Sequence, residues 1–262
     1  MPLNLSKYIP ILILTALVGC KGEVPPFDLV EQDPKVVLEF NVVNQGEEIG
    51  IGDDFVDEKQ WQLNLSTLKM YLSDIALIEG GELTELADVE LVDLAGSGSV
   101  PGFSSSYTYI IPKGNYDQLR MSIGLPSDLN STDPTIMPAS DPLSLQGAMY
   151  WDWATMYVFI MMEARIDTNS DLQYDDNIAF HTGLDTLFRP EKSYPLTLDI
   201  PAFAKDTLHI DIDWNKIYHP MEGEIIDLSE TPFFHANLDE EALATSRNFT
   251  DNFVKAISIR EQ

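Results

Sequence analysis

The chain has a single cysteine, Cys20, in 262 residues. A disulfide within the chain is therefore excluded, and so is a metal site built from several thiolates. Basic residues are also scarce, because 15 lysines and arginines stand against 43 aspartates and glutamates, for a net charge of −28. Such a surface repels nucleic acid, so we expect no nucleic-acid partner. The GxGxxG, P-loop, HExxH and GxSxG signatures are missing too, and we predict no enzymatic activity.

The beginning of the chain has the pattern of a bacterial lipoprotein signal. Lys7 precedes an apolar run over residues 9–18, which is too short to span a bilayer, and the run leads into Leu-Val-Gly-Cys at residues 17–20. These last four residues have the form of a lipobox. The alternative is that this segment is an anchor that is not cleaved and that the cysteine stands at this position by chance.

We therefore predict that residues 1–19 are a signal peptide and that Cys20 is lipidated. The acidic, proline-containing stretch 20–34 would then tether a domain to a membrane. The residue after the cysteine is Lys21 rather than aspartate, which is typical of outer-membrane lipoproteins. The expected location is the outer membrane, with the domain facing the periplasm or the cell surface.

Residues 35–262 read as one all-β domain. Apolar and polar residues alternate with a period of two in many segments, which indicates strands with one buried face. The segment 157–162 (YVFIMM) is apolar on both sides and is typical of a central strand. The pattern predicts an antiparallel β-sandwich.

Two stretches depart from this alternation. Residues 126–149 are rich in proline, serine and aspartate, and they predict a long loop that is either functional or disordered. Residues 239–259 predict a C-terminal helix with an apolar stripe formed by Leu243, Phe249, Phe253 and Ile257.

Histidines are the best remaining soft or borderline metal ligands in a chain without thiolates. They occur at four positions, His181, His209, His219 and His235. No pair has HxH or HxxxH spacing, so a shared metal would require distant loops to converge. For each histidine, a surface position or a simple hydrogen bond is the alternative.

The acidic segment Asp167-Thr-Asn169-Ser-Asp171 resembles the first half of a calcium loop, with oxygen ligands at alternate positions. Leu172 and Ile178 replace the glycine and glutamate of an EF-hand. The alternatives are therefore a solvated acidic turn and a looser calcium site.

Trp151 and Trp153 flank an aspartate just before the apolar segment 157–162. On composition they form either an aromatic cluster that closes one end of the core or part of a binding site.

Five stretches in this order resemble the MbnP-like family of copper-binding proteins, particularly its lipoprotein members from Bacteroidota-type bacteria. They are LKMYLSDIAL at 68–77, NYDQLRMSIGLPSDLN at 115–130, AMYWDWATMYVFIMME at 148–163, FHTG at 180–183, and the segment 234–253, in which His235 precedes a phenylalanine-rich helix.

The resemblance implies a secreted β-sandwich that binds copper through histidine nitrogens. By motif match His181 is the first expected ligand and His235 the second, with His219 as a further candidate. It also implies that a tryptophan, Trp151 or Trp153 here, is oxidised to kynurenine. The implied partner is a dihaem enzyme of the MauG or cytochrome c peroxidase type.

Two other functions compete with copper binding. One is an acidic cell-surface module that binds a partner or glycan through Trp151, Trp153 and the 126–149 loop, without copper. The weaker one is a hydrolase, whose catalytic residues need not be close in sequence. The distances between the histidines discriminate the first two functions.

Overall fold

The structure is a computed structural model that describes residues 33–95, 103–152, 155–230, 233–235 and 240–260, with the backbone alone for 233–235. All of these belong to the unit Gln32–Gln262. The predicted signal peptide, Cys20 and the tether up to residue 32 lie outside the described residues. Among the described helices, none is long and apolar enough to cross a membrane.

Strands dominate the described part of the chain. They are β1 (Lys35–Asn44), β2 (Glu47–Ile49), β3 (Asp54–Val56), β4 (Gln62–Glu79), β5 (Glu82–Asp93), β6 (Ser106–Ile110), β7 (Gly114–Ile123), β8 (Tyr150–Trp151), β9 (Met156–Asp167), β10 (Asp176–Gly183), β11 (Arg189–Ile200), β12 (Lys205–Asp213), β13 (Phe233–His235) and β14 (Ile257–Arg260). The α-helices are α1 (Ser127–Asn130), α2 (Trp214–Tyr218) and α3 (Glu240–Ala256). Short 3₁₀ turns occur at Pro134–Ile136, Leu145–Gly147 and Asp185–Leu187.

The strands form two sheets. The smaller sheet has the order β14-β12-β1-β2, with β6 also paired to β1. The larger has the order β11-β7-β4-β9-β10-β13, with β3 and β5 paired to β4 and β8 paired to β9. Pairing is antiparallel except for β1 with β12 and β10 with β13, which are parallel. The predicted antiparallel β-sandwich is confirmed.

The main core lies between the two sheets, where the alternating apolar residues meet. In β9, for example, Ile160, Met162 and Ala164 are buried in this core. Helices α2 and α3 pack on the same face of the larger sheet, since the ring of Phe180 stacks on Phe249 with centroids 5.0 Å apart. The helices thus close the core beside β10.

A second apolar cluster lies on the opposite face of the larger sheet, and we call it the outer cluster. The 126–149 segment covers it, and Leu143 and Met149 are buried there. The Tyr157 hydroxyl donates to the Leu143 carbonyl at 2.8 Å, and the Tyr71 hydroxyl donates to that of Pro142 at 2.9 Å. This predicted loop is therefore an ordered cover, built from α1 and two 3₁₀ turns.

The C-terminal helix was predicted about three residues too long. Helix α3 ends at Ala256, and the chain continues directly as strand β14. The reason is local alternation, because Ile257 and Ile259 pair in register with Ile212 and Ile210 of β12. Ile257, the last residue of the predicted apolar stripe, therefore belongs to a strand and not to the helix, because it pairs with β12.

Candidate metal centre

His181 lies near the end of β10, on the outer face of the larger sheet. The preceding residue, Phe180, points into the main core against Tyr218 and Phe249. Successive side chains of a strand point to opposite faces, so the imidazole of His181 points toward the outer cluster. Only 5% of His181 is exposed, which places a nitrogen ligand in a nearly water-free environment.

A carboxylate on the neighbouring strand orients this imidazole. Nε2 of His181 lies 3.0 Å from Oε1 of Glu163 in β9. The other carboxylate oxygen of Glu163 accepts a hydrogen bond from the Thr67 hydroxyl in β4 at 3.0 Å. Both oxygens of Glu163 are therefore engaged, and the carboxylate is fixed from two strands. This is the arrangement that holds metal-ligating histidines in one orientation.

The indole of Trp151 packs edge-on against the same imidazole. The two ring centroids are 4.9 Å apart, and the ring planes are at 83°. Trp151 reaches this position because strand β8 folds back antiparallel on β9, with Trp151 opposite Met156. Strands β8 and β9 are therefore separate and antiparallel, and the predicted central strand 157–162 lies within β9. Trp153 lies outside the described residues.

His235 is brought next to His181 by strand pairing. Strand β13 runs parallel to β10, and His235 is the register partner of His181. Neighbouring strands are about 4.8 Å apart, so the backbones of these two residues lie side by side. The two histidines with the strongest motif match, which are 54 positions apart in the chain, thus occupy adjacent positions on the sheet.

The same row continues through the sheet with residues that the sequence analysis did not single out. Met161 of β9 is the partner of His181, and Lys69 of β4 is the partner of Met161. Lys69 forms an ion pair of 3.2 Å with its own partner, Asp93. The row from β13 to β5 is therefore histidine, histidine, methionine, lysine, aspartate.

This donor set suits a soft or borderline transition metal. Imidazole binds both cuprous and cupric ions, and Glu163 supplies the outer hydrogen bond that ligating histidines require. Among the described side chains, no group of three or more His, Cys, Asp or Glu residues has the geometry of a metal site.

His219 lies elsewhere in the fold. It follows α2, which packs on the Phe180 face of the sheet, whereas His181 occupies the other face. Its charged neighbours are Lys59 and Asp57, and burial lowers the pKa of its imidazole, with Lys59 adding to the effect. The structure thus does not bring His219 together with His181.

His209 is also remote from the outer face. It belongs to β12 of the smaller sheet, and its Nδ1 lies 3.3 Å from a carboxylate oxygen of Glu39 on β1. The contact with Glu39 lies across the parallel strands β1 and β12, so His209 belongs to the smaller sheet and not to the environment of His181.

The acidic loop after β9 is held by its own backbone. The Asp167 carboxylate accepts hydrogen bonds from the backbone N–H groups of Asn169, Ser170 and Leu172 at 3.1, 2.7 and 2.8 Å. The Asn169 side chain similarly accepts from the N–H of Asp171 at 2.9 Å. These bonds shape a turn, and calcium binding by Asp167, Asn169 and Asp171 stays a prediction.

Glu163, Thr67 and Met161 complete the environment of His181, but no motif in the sequence pointed to them. Glu163 is the first charged residue after the apolar segment 157–162, which was the only signal available. Met161 read as one more apolar residue of a central strand. Their proximity to His181 depends on the register of β9 against β10, which is not readable from a single chain.

Comparison with known proteins agrees with the resemblance seen in the motifs. The family model described as MbnP matches residues 33–236, most of the chain. The chain belongs to the MbnP family. This MbnP-family chain is similar to a solved structure, MbnP from Methylosinus trichosporium, at 19% identity and a TM-score of 0.48. That alignment covers 73% of this chain and 78% of the other. Among curated proteins, none matches.

Proposed function

We propose that this protein is a membrane-anchored, extracytoplasmic copper-binding lipoprotein that acts in copper acquisition or handling. The observation that carries the proposal is the place of His181. It is buried, in register with His235, held by Glu163 and in contact with the ring of Trp151. Membership of the MbnP family supports the same function.

In this proposal His181 and His235 hold copper from adjacent strands. The pairing of the two backbones supports this, because neighbouring strands are only about 4.8 Å apart. Glu163 keeps the imidazole of His181 in one orientation, and Trp151 forms one wall of the site. The aromatic wall and the outer cluster limit access of water, which tunes the redox behaviour of a bound metal.

Trp151 is the proposed target of oxidation to kynurenine, because its ring already touches a proposed copper ligand. We propose that a partner dihaem enzyme of the MauG or cytochrome c peroxidase type performs this oxidation. Lipidation of Cys20 would keep the protein at the outer membrane, where such a partner and extracellular copper are both accessible.

The direct test is copper binding by histidine variants. Cuprous ion is titrated anaerobically into the wild type, His181→Ala and His235→Ala, in competition with a chromogenic chelator. Each alanine variant is expected to lose affinity by at least about tenfold. His209→Ala is the matched control, because His209 lies on the smaller sheet and pairs with Glu39. Unchanged affinity in both His181→Ala and His235→Ala would refute copper binding at this site.

A further inference from the structure

We propose that the thioether of Met161 is a third ligand of this copper site and makes it selective for the cuprous ion. The inference rests on the copper-binding function proposed above. Its basis is the row of register partners His235, His181 and Met161, which occupies consecutive strands β13, β10 and β9. His181 and Met161, whose side chains both bind soft metals, therefore share one face of the sheet, and the backbone of His235 lies in the same row.

The orientation of Met161 follows from its neighbours in β9. Met162 is fully buried in the main core, where the Tyr218 hydroxyl lies 2.8 Å from its sulfur. Alternation along the strand places Met161 on the other face, and it packs half-buried against the outer cluster together with Trp151. Residues directly opposite in an antiparallel pair have Cβ atoms about 5 Å apart, within reach of a shared ion for long side chains.

The groups around Met161 leave sulfur as the best further donor. Glu163 has both carboxylate oxygens engaged, with Thr67 and His181. The next residue in the row, Lys69, is turned to the Asp93 carboxylate at 3.2 Å and the Gly147 carbonyl at 3.3 Å. A carboxylate ligand is therefore not available without breaking existing hydrogen bonds, whereas the Met161 thioether requires no such exchange.

The chemistry of this donor set gives the selectivity. A thioether is a soft, uncharged ligand that favours the cuprous ion, whereas the cupric ion prefers nitrogen and oxygen donors in tetragonal geometry. The imidazoles of His181 and His235 with this thioether would supply an uncharged set of donors to the cuprous ion. The alternative role for Met161 is that of an apolar filler of the outer cluster.

Met161→Leu separates these roles, since leucine keeps the apolar volume and removes the sulfur. Cuprous affinity is expected to fall by at least about tenfold, whereas cupric affinity, measured in parallel, stays within about threefold. Met221→Leu is the control, because Met221 is 95% exposed and outside the outer cluster. X-ray absorption of the cuprous protein should show a copper–sulfur contribution that is missing in Met161→Leu.

A second measurement does not depend on affinity. The protein is labelled with ¹³C at its methionine methyl groups and titrated with cuprous ion, or with silver ion as a mimic. The resonance that Met161→Leu removes is expected to shift, and that of Met221 is expected to stay in place. A Met161 resonance that does not move at full occupancy would overturn the proposal.

The outcomes also separate this inference from the function on which it rests. If Met161→Leu binds cuprous ion as the wild type does while His181→Ala does not, Met161 is a packing residue and copper binding stands. If both variants bind as the wild type does, both proposals are wrong.

Discussion

The rings of Trp151 and His181 meet edge-on, with their centroids 4.9 Å apart, although the residues belong to different strands of the larger sheet. The contact arises because β8 folds back on β9 and β9 pairs with β10. The residue that we propose is oxidised is therefore in direct contact with a proposed copper ligand. The predictions below test this arrangement and the fold that supports it.

The first prediction concerns the carboxylate that orients His181. Glu163→Gln preserves the size of the side chain but removes its charge, and Thr67→Val removes the hydroxyl that fixes it. We expect Glu163→Gln to weaken cuprous binding by about tenfold, because outer hydrogen bonds to ligating histidines typically contribute 10–100-fold to metal affinity. Thr67→Val should have a smaller effect. Chelator competition measures both, and equal affinity in Glu163→Gln and the wild type would contradict a positioning role.

The second prediction concerns the modified tryptophan. Trp151→Phe retains an aromatic ring beside His181 but removes the indole that we propose is oxidised to kynurenine. In protein purified from its native host, the mass increase of this oxidation is expected in the wild type and in Trp153→Phe but not in Trp151→Phe. Intact-mass spectrometry with peptide mapping measures it. Loss of the modification only in Trp153→Phe would move the oxidised position to Trp153.

The third prediction concerns the membrane anchor. Cys20→Ser removes the only thiol in the chain and should abolish acylation, so that the protein is released from the membrane fraction or mislocalised. Incorporation of radiolabelled palmitate measures lipidation directly. Equal incorporation into the variant and the wild type would show that Cys20 is not the lipidated residue.

The fourth prediction concerns the turn that follows β7. Gly124 has φ of +92°, and a Cβ there would lie 2.5 Å from Cδ2 of the buried Phe159 ring. Gly124→Ala should therefore lower the free energy of unfolding by roughly 2–5 kcal/mol, from backbone strain and overpacking together. Gly46 has φ of +87° with nothing within 4 Å of a Cβ, so Gly46→Ala should cost only about 1 kcal/mol. Denaturant unfolding measures both, and equal losses would show that the Phe159 contact is unimportant.

The fifth prediction concerns pH dependence at the ion pair between Asp227 and Lys59. Hydrogen bonds from the Ser229 hydroxyl and from Lys59 lower the pKa of Asp227 from 3.8 to about 2. The folded state therefore binds its proton less readily than the unfolded state, and this contribution to stability is present above about pH 4 and is lost as the pH falls toward 2. Because 39% of the side chain is exposed, the contribution should stay below about 1 kcal/mol.

Asp227→Asn tests the sign of this effect. The difference in unfolding free energy between the wild type and Asp227→Asn should be constant near neutral pH. It should decrease as the pH falls from about 4 to about 2. A difference that widens on acidification would contradict the lowered pKa. Comparison of the two proteins at each pH cancels the titration of the other carboxylates.

The local pattern of the sequence determined the β class, the buried faces of the strands and the motifs of the family. Alternation is a property of a few consecutive residues, so segments such as 36–42 and 208–212 predict their buried side chains correctly without knowledge of their partners. The strand–helix boundary at Ile257 was the exception, because pairing with β12 decided it.

Only the tertiary structure decided which of the candidate residues meet. His181, His235, Met161 and Glu163 are spread over 75 positions of the chain. Strand order and register bring His181, Met161 and Glu163 to one face and pair the backbone of His235 with that of His181. His209 lies on the smaller sheet and His219 follows α2, and no spacing between the histidines in the sequence predicted this separation. The physical reason is that a shift of register by one residue moves every side chain of a strand to the other face, and long-range packing fixes that register.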